Sequence, residues 1–373
     1  MTAILESISR EIQGKGGPAR RGLAAERLAG MLVVAALAIL VAGTQGLMSP
    51  YVVNLIGQVA TFGMLAIALD LIWGYAGILS LGHGLYFAIG GYLIAMHLVK
   101  VAYLQTGTPP DFMLFMGWDS LPFYYAGLEN FPYALALIVL ISGGVAFLFG
   151  LISFRSRVSG VYFSIITQAL VFVAMLLFFR NDTGFGGNNG MTGFTTLLGW
   201  PIAAPETIAA LSAASVLAAA ASLYVCARIV RSRLGHMLVA IREDESRLRF
   251  LGFETLWIKI AAWVISAVIA AIAGMLYVPQ VGIINPRVLS PELSIEIAVW
   301  VAIGGRGTLV GAFAGAILIS TLKVVLTASA PELWPFILSL LVIFVVVLLP
   351  NGLLDAPAAL RGWLEWRRQR AAS

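Results

Sequence analysis

The chain has 373 residues, 60% hydrophobic and only 11% charged, with a net charge of +5 and a mean hydropathy of +0.94. A soluble core of this length could not hide so much apolar surface, which excludes an ordinary soluble domain. The positive charge does not point to nucleic acid either, because Lys and Arg gather in short segments between apolar runs, the pattern of a polytopic membrane protein.

Residues 1–27 read as a cytoplasmic tail carrying Arg10, Lys15, Arg20, Arg21 and Arg27. The charged region is too long, and the run after it too extended, for a cleaved signal peptide. A helix needs about 20 apolar residues to cross ~30 Å of hydrocarbon. Runs of that order begin with Leu28–Leu47 and Tyr51–Trp73, followed by a glycine-rich link at Gly74–Gly84 and a third run at Leu85–Val99. Lys100–Asn130, rich in Pro, Trp, Tyr and Phe, is expected outside. Phe131–Phe154 returns to "RSR", and Val161–Phe179 leads out to "NDTGFGGNNGMTGF", which holds too many glycines for a regular helix. Thr207–Val230 comes back in and Trp257–Val278 goes out. Leu293–Ile303 is short for a full span. After "GGRGT", Leu309–Leu326 and Trp334–Leu349 complete about ten crossings. On this count 19 of the 23 Lys and Arg are cytoplasmic, which places both termini inside. The expected fold is therefore all-α, with a transmembrane domain over 28–352, a cytoplasmic loop at 231–257 and a cytoplasmic tail at 353–373.

The cytoplasmic loop holds the densest charge, "GHMLVAIREDESRLRFLGF". From Met237 it reads as a helix, with Leu234, Leu238, Ile241 and Leu248 on one face and charges over much of the rest. Gly235 and Gly252 would bracket it as helix breakers. A short amphipathic helix of mixed charge suits a groove on a soluble partner. It equally suits a loop helix that satisfies its own ion pairs, and its physics alone leaves both open. Gly307, Gly311 and Gly315 recur every four residues, predicting one helix face open to a close neighbour. "GHGLYFAIGG" and "GRGTLVGAFAG" look alike, as paired helix interruptions or as ordinary glycine-rich helix starts.

"AIREDESRLRFLGF", together with "GYAGILSLGHGLYFAIGGY", "RVSGVYFSIITQAL" and "AIGGRGTLVGAFAGAIL", resembles the LivM-type permease subunits of branched-chain amino acid family ABC importers. "NDTGFGGNNGMTGF", "YVPQVGIINP" and "SPELSIEIAVWVAIGGRGTL" look closer to the urea-transporter permease of that family. The resemblance implies a bacterial inner-membrane importer built with a LivH-type permease, two ATPase subunits and a periplasmic substrate-binding protein. It also implies that the segment carrying Gly235, Leu238, Ala240, Ile241, Arg242, Glu243, Asp244, Glu245, Arg247 and Gly252 couples to the ATPase. ATP and Mg would sit on the partners and no cofactor on this chain. "GKGG" at Gly14–Gly17 lacks the first glycine and the hydroxyl of a phosphate loop.

No catalytic constellation is present. His83, His97 and His236 have no metal-ligand spacing, and Cys226 reads as a small core side chain. A neutral solute such as urea wants amides, hydroxyls and carboxylates along its route. The candidates are Thr167, Gln168, Asn188, Asn189, Gln280, Asn285, Glu292 and Glu296. Glu296 and Lys323 are suspects because charge within a span is costly, while Asp70 is expected to reach water at the inner end of its span. The alternatives are a branched-chain amino acid permease and, from a different class, a passive urea channel, which would need no docking helix.

Overall fold

The computed structural model describes residues 18–348, so most of the 1–27 tail, the 353–373 tail and the last residues of the expected 28–352 domain lie outside the described part. The fold is all-α. Eight helices are long and apolar enough to cross a membrane: α1 (Pro18–Thr44), α2 (Pro50–Asp70), α3 (His83–Thr106), α5 (Phe131–Arg155), α6 (Gly160–Phe179), α7 (Pro205–Arg231), α9 (Thr255–Val281) and α11 (Leu309–Ser329). The short α4 (Asp111–Met116), the charged α8 (Arg233–Phe250) and the shorter α10 (Pro291–Gly304) and α12 (Trp334–Leu348) complete the described residues. The ten expected crossings thus become eight long helices and two short ones. A two-strand hairpin, Thr196–Leu197 with Trp200–Pro201, lies between α6 and α7.

Helices α2, α3 and α9 form the centre. Their sequences place Gly, Ala and Ser where helices touch, so backbones meet with little between them. A methyl group on Gly90 of α3 would overlap the carbonyl of Ala271 in α9, and one on Gly274 of α9 would overlap that of Phe87. Helix α9 also packs on α5, while α2 packs on α7 and α11, and α1 lies along α7. Helices α1, α5 and α6 expose most of their apolar surface, including Leu37, Leu140, Ile152, Val161 and Val173. Lipid or a neighbouring subunit can cover such surface at no cost in hydrogen bonds.

Several expectations need correction. The Gly74–Gly84 link is shorter, because α2 continues through a π-helical turn at Leu71–Tyr75 and α3 starts at His83. Gly307 is not on the helix face of Gly311 and Gly315. It sits in the turn before α11 with φ +74°, a left-handed conformation that glycine adopts without a Cβ penalty. Gly311 and Gly315 do face a close neighbour: methyl groups there would strike the carbonyls of Gly304 and Trp300 in α10. Asp70 does not reach water but is completely buried.

Candidate functional site

The charged 231–257 loop is helical for most of its length. Gly235 does not bracket the helix; it lies inside α8, buried where a side chain would collide with the Val230 backbone. Gly252 does end it, with φ +87°. The helix is not continuous. Asp244 has φ −162° and ψ 97°, and its Oδ1 accepts hydrogen bonds from the Ser246 and Arg247 N–H groups at 3.0 and 3.2 Å. It therefore caps a second, short helical segment, as an Asp at a helix start does by satisfying orphaned amides.

Packing divides the charges into two sets. Leu238, Ile241 and Leu248 are buried as the apolar spacing predicts, with Leu234 and Ala240 half-buried. Glu245, on the inward side, gathers three donors at its Oε1: Lys259 Nζ at 2.8 Å, Thr255 Oγ1 at 2.7 Å and Arg249 Nη2 at 2.7 Å. Partial burial pushes its carboxyl up, but Lys259, Thr255 and Arg249 outweigh that and hold it at about 2. The Lys259 ammonium also lies 5.1 Å from the centre of the Phe154 ring. Arg242 turns inward too, donating from Nη1 to the Gly74 carbonyl at 2.7 Å, while its Nη2 holds Glu243 at 2.8 Å. Facing outward are Glu243, Arg247 and, most exposed of all at 91%, Phe250. Two clefts of about 150 Å³ flank Glu245 and Lys259; Arg157 and Arg249 line one, Gly77 and Arg242 the other.

The expected solute-lining residues do not form one route within this chain. Thr167 is buried, its Oγ1 accepting from the Leu81 N–H at 3.1 Å beside the α2–α3 link. Gln168, one residue on, has both amide atoms buried without a partner among the described residues. Gln280 lies elsewhere, donating to Ser215 Oγ at 2.7 Å. Its backbone carbonyl accepts from Asn54 Nδ2 at 2.9 Å. Glu296 is buried in α10, where Lys323 Nζ at 2.8 Å and Trp334 Nε1 at 2.7 Å donate to Oε1. Glu292 is exposed.

Asn188 and Asn189 are exposed on a short 3₁₀ turn that is firmly held. Tyr124 and Tyr125 donate to the Thr183 and Gly184 carbonyls at 2.5 and 2.8 Å, and Met191 pairs with Ile284 through 2.8 and 3.1 Å backbone bonds. That pairing brings the turn against Asn285, whose Oδ1 accepts from the Arg287 N–H at 3.1 Å. The glycine-rich loop is thus held as a cap on the C-terminal end of α9. Of the histidines, His83 contacts Ser266 Oγ at 2.6 Å and His97 the Leu128 carbonyl at 2.6 Å, both inside the packing. Among the described residues, no three His, Cys, Asp or Glu side chains form a group that could hold a metal.

Sequence reasoning missed the inner partners of the loop. Lys259 is a charge in the second turn of α9, and its spacing of 14 from Glu245 follows no helical rule. Asp70 carried a signal, a lone acid inside an apolar run, but the link hid which backbone it meets.

With this arrangement in view, comparison with known proteins is decisive for the family. The family model for the branched-chain amino acid transport system / permease component matches residues 51–347. The chain belongs to this family. It is 27% identical over 313 residues to the high-affinity branched-chain amino acid transport system permease protein LivM of Salmonella typhimurium, covering 78% of this chain and 67% of that one. Identity to LivM of Escherichia coli K12 is 26%, covering 87% of this chain and 74% of that protein. LivH of Salmonella typhimurium is also similar, at 24% identity, with 80% of this chain and 92% of LivH covered. No solved structure gives a significant match. The chain is thus a LivM-type, multi-pass permease of the bacterial inner membrane. These relatives lend no support to the urea preference expected from three stretches of its sequence.

Proposed function

We propose that this chain is one permease subunit of an ATP-driven importer for branched-chain amino acids. It would work with a LivH-type permease, two ATPase subunits that carry ATP and Mg, and a periplasmic binding protein. Both termini would be cytoplasmic. The observation that carries the reading is the division of α8: one side is tied into the transmembrane helices, while Glu243, Arg247 and Phe250 remain outward on the basic side of the protein. A helix anchored from behind and free in front suits a soluble ATPase, and a passive channel has no need of one. Gly235, Leu238, Ala240 and Ile241 then support the docking face from beneath. Asp244, Glu245 and Gly252 shape it, and its contacts come from Glu243 and Arg247. The scatter of Thr167, Gln168, Gln280 and Glu296 over separate neighbourhoods suits a route formed between two permeases.

Urea is the second reading. It rests on Asn188, Asn189 and Asn285, uncharged amides held together at the outer end of α9, which offer donors and acceptors to a neutral amide. Uptake by the reconstituted five-subunit importer, with radiolabelled leucine and urea in parallel, separates the two. ATP-dependent accumulation of leucine without urea is expected; the reverse selects urea, and accumulation of neither without ATP but equilibration of urea selects the channel.

A further inference from the structure

The inner ends of four segments meet at one glycine. Asp70, the last residue of α2, is completely buried, and its Oδ1 accepts the Gly307 N–H at 2.7 Å. Arg21 of α1 donates to the carbonyl of the same residue at 3.0 Å. Arg242 of α8 donates to the carbonyl of Gly74, at the end of the π-turn that extends α2. The two glycines touch: a methyl group on Gly74 would lie 2.7 Å from Gly307 Cα. One on Gly307 would stand 3.6 Å from Arg21 Nη1 and 3.7 Å from Arg242 Nη1. Arg306 completes the ring, 5.6 Å above the Trp73 indole.

Each contact has a physical reason. The Gly74 carbonyl is at a helix end, where a guanidinium both supplies a donor and meets the negative end of the helix dipole. The Gly307 N–H opens a turn with no strand or helix to satisfy it, and a buried carboxylate is a strong acceptor for it. Burying Asp70 is costly, and with its Oδ2 unpartnered among the described residues the Gly307 bond is its one direct offset, so losing that contact strands the carboxylate. The cluster therefore moves as a unit or comes apart with a large penalty. Its members span α1, α2, α8 and the turn between α10 and α11.

We propose that Asp70 and Arg242 are positioning residues for transport, forming a clamp on the Gly74–Gly307 contact that carries displacement of α8 into α2 and the α10–α11 turn. This rests on α8 being the ATPase dock. When the ATPase shifts α8, the Arg242–Gly74 bond pulls the end of α2, and Asp70 drags Gly307 with it. Neither residue touches the solute or the nucleotide.

The test uses the complete importer in proteoliposomes, measuring solute accumulated per ATP hydrolysed together with the amount of ATPase that copurifies. Arg242→Ala removes a charge-assisted hydrogen bond and should lower transport per ATP by about tenfold, with the ATPase still bound. Arg242→Lys should recover most of it, since a single N–H reaches Gly74. Asp70→Asn keeps the size and an acceptor oxygen but loses the charge, and should lower the same ratio. Combined with Arg242→Ala it should add little, as members of one clamp do. If Asp70→Asn does not accumulate, the Arg242 pair decides the matter alone. An unchanged ratio in Arg242→Ala overturns the proposal. Loss of the ATPase from Arg242→Ala also overturns it, because Arg242 would then be a docking contact. Absence of any crosslink to the ATPase from Phe250→Cys, in an importer otherwise unaltered, would instead refute the docking reading.

Discussion

Glu245 should be the costliest charge to remove from α8, although it resembles its neighbours in sequence. Its side chain is 25% exposed and that of Lys259 only 6%, so Glu245→Ala leaves an ammonium buried with no counter-charge. Stranding one member of such a pair costs roughly 3–5 kcal/mol. The carboxyl supports a similar figure: held from its ordinary 4.5 down to about 2, it contributes about 3 kcal/mol. Because the folded state lowers this value, the contribution is complete above pH 4.5 and disappears as the pH falls from there towards 2. It is therefore constant over pH 5–8. In detergent, Glu245→Ala should lower the Tm by roughly 5 °C and open the 251–254 connection, which holds Leu251 and Phe253, to chymotrypsin. The double variant Glu245→Ala, Lys259→Met, which removes both charges, should recover most of the loss. An unchanged Tm and digestion pattern in Glu245→Ala would refute Glu245 as the hub that joins Lys259, Thr255 and Arg249. Failure of Lys259→Met to rescue would show that the loss comes from Thr255 and Arg249 instead.

Gly311→Leu should prevent accumulation of the protein in membranes, measured by immunoblot, because even a methyl group there meets the Gly304 carbonyl of α10. Of the Glu296–Lys323 pair, Lys323→Met should cost more than Glu296→Gln. The carboxylate is 4% exposed and the lysine 41%. Thermal melting should therefore show a loss of roughly 3–5 kcal/mol for the stranded acid and about 1 kcal/mol for the weakened hydrogen bonds. Asn188→Ala with Asn189→Ala should leave the Tm unchanged, since both side chains are exposed. Uptake at limiting solute should fall by several-fold at most, the worth of about one hydrogen bond.

Most of the fold was legible because a membrane leaves the chain few options. Apolar length gives the spans, and the Lys and Arg pattern predicts which links are inside. Boundaries failed where a backbone feature has no compositional mark. The π-turn at Leu71–Tyr75 extends α2 through residues that look like a loop, and Gly307 shares the four-residue spacing of Gly311 and Gly315 without sharing their helix. Spacing reports a possible face; only the cap and the turn decide where the helix begins.

The charges of α8 show why the site was harder. Within "REDESRLR", a docking face and a self-satisfied loop have the same composition. The structure divides them residue by residue: some charges are satisfied inside the chain and others face outward. Arg242 and Glu245 point to partners 168 and 14 positions away, distances that no local periodicity encodes. Asp244 is spent on capping its own helix. What remains outward in and after this stretch is Glu243, Arg247 and Phe250, so a partner would read few charges beside the exposed Phe250 ring. Replacing all three acids at once, the natural experiment from sequence, would break the hub and the cap together with any docking contact. Glu243→Ala with Phe250→Ala separates them: ATPase binding should weaken while the Tm stays near that of the parent, because neither side chain is buried.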